Sequence, residues 1–154
     1  MNIFYLDNDL EKSARYHVDR HVVKMLLEYA QLLSTTHWVT GSEGWYKKTH
    51  VNHPSAVWAR QSRENYLWLC CLGLEVAKEY EYRYGRKHKS SYVIEWAKDN
   101  VPDLPSLGWT QPTPAMPDEY KVPGDSLQSY RNYYKLGKSH LHSWKFREVP
   151  QWLN

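Results

Sequence analysis

Residues 15–34, RYHVDRHVVKMLLEYAQLLS, decide the fold. Read as a helix at ~100° per residue, they place His17, His21, Lys24, Glu28 and Gln31 within an arc of roughly 80°. Val18, Val22, Met25, Leu26, Tyr29, Leu32 and Leu33 fill much of the remaining circumference. The helix is therefore expected to be mostly buried, with one narrow polar seam. A solvated face usually carries interchangeable Lys, Glu and Gln, whereas this seam sets two imidazoles, an amine and a carboxylate in series. It reads either as a merely wet face or as the lining of a cleft.

Upstream, NIFYL at residues 2–6 is apolar but too short to seed a sheet, and Asp7, Asn8 and Asp9 offer an N-cap for a helix beginning near Leu10. That helix is expected to continue through the seam to about His37. Residues 40–48 contain two glycines and read as a loop. Asn52, followed by His53 and Pro54, marks a second start, because proline tolerates the first helical turn and asparagine can cap it. Val57, Tyr66, Leu69, Leu72, Leu74 and Val76 then predict one long helix ending near Gly85, with Trp58 and Trp68 in the core. A third helix is expected over residues 89–99.

Residues 101–123 hold Pro102, Pro105, Pro112, Pro114, Pro117 and Pro123, which exclude regular helix and argue against a central strand. Trp109, Met116 and Tyr120 provide anchors for an ordered, extended wrap. A last helix is expected from about Asp125 to Leu136. No sustained strand alternation, repeat or low-complexity tract occurs. The expected fold is mainly α: one helical domain over residues 1–154, a compact bundle with a proline-rich wrap.

No run approaches ~18 apolar residues and no basic-then-apolar leader opens the chain, so the expectation is a soluble, cytoplasmic protein without a membrane partner. Cys70 and Cys71 are adjacent in an apolar run and read as reduced core residues. The net charge of +3 says little by itself. Its distribution says more: from Lys121 to Arg147, six basic residues (Lys121, Arg131, Lys135, Lys138, Lys145 and Arg147) face the single acid Asp125. Tyr130, Tyr133, Tyr134, Trp144 and Phe146 interleave with them, a combination that can hold phosphates and offer flat rings to bases. The same pattern also suits a C-terminal helix docked on the core.

His17 and His21, at i and i+4, can chelate one cation, with His50, His53 or Asp19 completing a shell. No Cys/His spacing or intervening Glu strengthens that reading, so neither metal nor cofactor is expected. The motifs G-x-S-x-G, G-x-G-x-x-G and the P-loop are all missing, which removes support from hydrolase-elbow and nucleotide folds. Amines remain as nucleophiles: Lys24, between His21 and Glu28, or the chain terminus. α-Amino groups ionise near ~7.7–8.0, against ~10.4 for lysine, so far more is neutral at pH 7.

The apolar lead, the His17 helix, HPSAVW at residues 53–58, the Pro-Asp-Glu-Tyr turn at residues 117–120 and the YRNYYKLGK tail together resemble the phage endonuclease V family of pyrimidine-dimer DNA glycosylases. The chain is also similar to uncharacterised phage proteins that open with NIFYLDND and carry the HVVKM helix. The family resemblance implies an all-helical protein that grips a bent duplex, attacks the sugar C1′ with its N-terminal amine and acts as glycosylase and abasic-site lyase through an imine. A helix carboxylate assists in that family. Here Met1 matches the nucleophile's position, and Asn2 is bulky enough that Met1 is expected to be retained. Lys24 stands where the family's glutamate lies, and Glu28, one turn on, is the substitute.

The resulting expectation is a DNA glycosylase/lyase acting on damaged or modified bases in double-stranded DNA, in the host cytoplasm if phage-encoded. Met1 supplies the amine, Glu28 handles the proton, His17 and His21 orient sugar or phosphate, and Lys24 is the competing nucleophile. Arg60, Arg63, Arg131, Tyr133, Tyr134, Lys135, Lys138 and Lys145 contact the DNA. The alternatives are a non-catalytic DNA-binding accessory protein and a metal-dependent nucleic-acid hydrolase.

Overall fold

Asp9 opens the first helix: in the computed structural model, which describes residues 1–154, its side chain accepts from the Lys12 amide at 3.1 Å and α1 runs Leu10–Tyr16. The continuous helix expected through the seam does not form. His17 and Val18 are extended (ψ 129° and 157°), and α2 restarts to span Asp19–Val39. Groups from elsewhere in the chain satisfy the break. Buried Arg83 donates to the carbonyls of Arg15 (2.9 Å) and His17 (2.8 Å), and the Val18 amide donates to the Tyr134 hydroxyl (3.1 Å). These partners replace the bonds an unbroken helix would have made internally.

The second expected helix is also two. His53 caps α3 (Pro54–Arg60), its ring Nδ1 accepting from the Ser55 amide at 3.0 Å, so the cap is His53 rather than Asn52. Ser62 then caps α4 (Arg63–Tyr84) by accepting from the Asn65 amide at 3.0 Å. Gly85 ends α4 in the left-handed region (φ 71°), where a side chain would be strained. α5 spans Lys89–Asp99 as its pattern predicts. It packs closely on α4 at Gly73, where an added Cβ would stand 3.0 Å from Ile94 Cδ1.

The proline-rich segment is an ordered wrap. The Pro105 carbonyl accepts from the Arg63 amide (2.9 Å), the Thr110 carbonyl from Trp58 Nε1 (3.2 Å) and the Ala115 carbonyl from Asn2 Nδ2 (2.8 Å). The wrap makes one 3-10 turn at Asp118–Tyr120. α6 (Ser126–Asn132) continues directly into a π-helical turn over Tyr133–Gly137. No β-strand occurs, and the fold is mainly α. No helix is long and apolar enough to cross a membrane.

α2 is the central element, packed by α3, α4 and α5, and Ile3, Phe4, Tyr5 and Leu6 of the lead are buried in the same core. The lead runs along α2, tied by the Asn2 amide to Glu28 Oε1 (3.1 Å) and by the Phe4 amide to the Tyr29 hydroxyl (3.1 Å). Trp58 and Trp68 meet edge to face at 5.6 Å. Cys70 is buried, Cys71 half-buried, and both are free thiols.

Candidate functional site

The course of the lead brings the chain's first amine to the middle of α2. The Met1 α-amino nitrogen lies 3.5 Å from Glu28 Oε1, and Lys24 Nζ lies 3.7 Å from Glu28 Oε2. Glu28 is thus bracketed by the two amines singled out in the sequence. Its side chain is only 10 % exposed, whereas that of Lys24 is 62 % exposed. Asn2 fixes the approach: its side chain accepts from the Tyr130 hydroxyl at 2.7 Å and donates to Ala115, so the wrap and α6 hold the residue after the amine.

His53, at the start of α3, feels the charges of this group. Burial lowers its pKa first, the positive α-amine and His50 lower it further, and only Glu28 opposes them. These effects favour the neutral ring. Next to it, His50 sits in the left-handed region (φ 50°), an uncommon conformation for a non-glycine residue.

The two seam histidines face inward instead. His17 is fully buried, with Nδ1 2.7 Å from the Ser13 carbonyl and Nε2 2.9 Å from the Tyr29 hydroxyl. Tyr29 accepts from the Phe4 amide, so its own proton goes to His17 Nε2 and the ring's proton sits on Nδ1. His17 therefore cannot touch a sugar or phosphate; it holds Tyr29, which holds the lead. His21 stacks on Phe4 at 4.3 Å and 16°, with Nδ1 2.6 Å from the Tyr134 hydroxyl. Burial pushes the pKa of His17 down to about 4 and that of His21 to about 2, so both are neutral.

The expected cleft over the seam is filled by the lead and by Tyr134. Surface cavities lie elsewhere: along Glu11, Arg15, Glu79 and Arg147, around Trp45 and Trp96, and beside His37, Thr40 and Asn100. The outward stripe of α2 is Arg20, Val23, Lys24 and Leu27, offset from the seam because the lead and Tyr134 cover the side that carries His21 and Glu28. No three His, Cys, Asp or Glu side chains converge in an arrangement able to hold a metal ion. The nitrogens of His17 are both committed to protein groups, which removes it as the first ligand of the proposed chelate.

The expected DNA-contacting residues divide sharply. Arg131 is bound to the Leu6 carbonyl (2.8 Å) and to Asp7 (2.8 Å), and Tyr134 is fully buried. Both are core clamps rather than surface contacts. Arg60 donates to the Val51 carbonyl at 2.7 Å. Lys121 and Arg147 are paired with Asp118 and Glu79. Lys135 and Lys145 are exposed and Lys138 half-buried, none with an acidic partner, while Arg63 is exposed on α4. Lys138 lies 5.0 Å from the centre of the half-buried Tyr133 ring.

Compared with protein-family models, curated proteins and solved structures, the chain matches none. The site accordingly rests on its own geometry. In the sequence, His53 reads only as a cap neighbour or metal ligand, and Asn2 carries no site role. The signal for Asn2 was weak, since nothing local marks a side chain that bonds to residues more than a hundred positions away. His53 carried a better one, an imidazole directly before a helix-starting proline.

Proposed function

We propose that this protein is a DNA glycosylase with abasic-site lyase activity on damaged or modified bases, using the Met1 α-amine as nucleophile and Glu28 as its proton acceptor. The observation that carries the reading is the 3.5 Å approach of the amine to Glu28. In a chain whose mature N-terminus is Met1, Glu28 takes a proton from the ammonium, freeing the nitrogen lone pair. That pair attacks C1′ as the glycosidic C–N bond breaks, and the base leaves with the bonding electrons, taking up the proton that Glu28 had accepted. The attached nitrogen gives a further proton to Glu28, which passes it to the ring oxygen as the C1′–O4′ bond breaks, and the nitrogen lone pair forms the protonated imine. Hydrolysis regenerates the amine, whereas β-elimination cleaves the strand.

Asn2, Tyr29 and His17 act as positioning residues, because each fixes the lead that carries the amine. Lys24 is the competing amine. The exposed cations Arg63, Lys135, Lys138 and Lys145 supply phosphate contacts to duplex DNA. The resemblance of the lead, His17 helix and aromatic-basic tail to the endonuclease V family supports the same reaction class.

A second reading, a DNA-binding accessory protein without catalysis, is favoured by one observation: the lead fills the space above the seam. Incubation with duplexes carrying an abasic site or candidate modified bases separates the two. The enzyme reading expects base loss or strand scission, slowed ~10²–10⁴-fold by Glu28→Gln. The accessory reading expects binding with every strand intact.

A further inference from the structure

Of the buried imidazoles His17, His21 and His37, only His21 has a nitrogen left over. His17 and His37 each engage protein groups through both ring nitrogens. The fully buried Tyr134 hydroxyl accepts from the Val18 amide, so its proton has one acceptor within reach, His21 Nδ1. The ring proton of neutral His21 therefore resides on Nε2, which makes no hydrogen bond within the chain. That atom is not sealed in: the enclosed, unpartnered side-chain polar atoms are Ser55 Oγ, Ser91 Oγ and Trp152 Nε1. His21, only 4 % exposed, thus keeps one N–H donor that is unpartnered yet not fully covered.

Cations flank this donor. Arg20 and Lys24 occupy the adjoining turn of α2 at i−1 and i+3, and Lys138 follows Tyr134, the residue bonded to the ring, at the end of the π-helical turn. After burial, the charges acting on the ring are those of His17, Lys138, Lys24 and Arg20, and no carboxylate among them acts in the opposite sense. Arg20 and Lys138 have no acidic partner, and Lys24 reaches Glu28 only at 3.7 Å. A neutral donor held by Tyr134, with cations at neighbouring positions of α2 and at the end of the π-helical turn, is complementary to an anion with several acceptor oxygens.

We infer that His21 Nε2–H, Arg20, Lys24 and Lys138 form a phosphate site that takes a backbone phosphodiester of DNA. The choice of DNA rests on the function proposed above; the anion site rests on the geometry alone. His21 and Glu28 lie two turns apart on one face of α2, ~10 Å at 1.5 Å per residue. A phosphate held at His21 would anchor the strand beside the sugar presented to Met1 without occupying the same space.

The test reads the His21 ring directly by ¹⁵N–¹H correlation NMR while inorganic phosphate, and separately a short duplex, are titrated into the full chain. The expected spectrum shows a neutral, Nε2-protonated ring whose Nε2 signal shifts saturably with both probes. The surface double variant Arg20→Ala, Lys138→Ala should weaken phosphate binding about tenfold, the scale of a lost charge-assisted contact, while the His17 ring signals report an intact fold. An Nδ1-protonated ring, or no shift with inorganic phosphate, overturns the site. A shift with phosphate but not with duplex overturns its assignment to DNA. Neither result depends on imine chemistry, so this inference and the proposed reaction fail separately.

Discussion

Arg83 donates to the His17 carbonyl at 2.8 Å, joining the end of α4 to the break between α1 and α2. Its guanidinium is fully enclosed and also binds the Arg15 carbonyl, Glu79 at 2.7 Å and Asp19 at 3.1 Å. Glu79 in turn receives two bonds from Arg147, at 3.0 and 2.9 Å. Burial alone would raise the Glu79 pKa; its bonds to Arg147 and Arg83 outweigh that effect and hold it below the usual carboxylate range. The network satisfies the end of α1 and the extended His17–Val18 break, after which α2 restarts at Asp19.

Removing one member of a buried ion network leaves the others charged and unpaired, which costs more than the network itself contributes. Arg83→Met is expected to destabilise the fold by ~3–5 kcal/mol, read as a lower urea midpoint with little change in slope. A loss below ~1 kcal/mol would show that water replaces the guanidinium and that the break is held by other contacts.

The buried imidazoles set the acid limb of stability. The unfolded chain protonates both rings near ~6.5, whereas the folded chain resists until about 4 at His17 and about 2 at His21. Between these values the unfolded state binds more protons, so stability is complete above ~6.5 and declines as pH falls toward 4. Each ring contributes at most ~1.4 kcal/mol per pH unit. Denaturant titrations from pH 7 to 4.5 should show the decline. Equal stability across that range, or a folded-state His17 titrating near 6.5, would contradict the buried His–Tyr pairs.

The elements most legible in the sequence are those specified locally. Asp9 as a cap, Gly85 as a stop, α5 and the proline wrap follow from neighbouring residues, and the structure has each of them. The breaks at His17 and Ser62 were not legible in apolar spacing, because Arg83 and the wrap supply the competing hydrogen bonds from distant positions. Ser62 does carry a local sign, a capping residue three before Asn65. The polar seam is visible in the sequence, but the direction of its imidazoles, toward Tyr29 and Tyr134, is set by residues distant in the chain. The basic tail looked stronger than it is, since Asp7, Glu79 and Asp118 neutralise half of its six cations.

That neutralisation makes the electrostatic prediction specific. Binding to B-DNA should weaken on a log–log salt plot by ~0.9 per phosphate contact, and Lys135→Ala with Lys138→Ala should flatten the slope by up to ~1.8. Arg131→Ala should leave the slope nearly unchanged and lower stability instead, because its partners are Leu6 and Asp7. Salt-independent binding, or an equal slope change from Arg131→Ala, would reject this division of the tail.

The central claim is that the amine beside Glu28 forms a covalent imine with DNA. Borohydride reduction during incubation with an abasic duplex tests it most directly, with intact mass establishing that the chain used begins at Met1. The account predicts a stable protein–DNA adduct that maps to the Met1 peptide and disappears when the α-amine is selectively acetylated. An adduct that maps to Lys24 and survives acetylation, or no adduct with abasic or modified duplexes that the protein nonetheless binds, would contradict it.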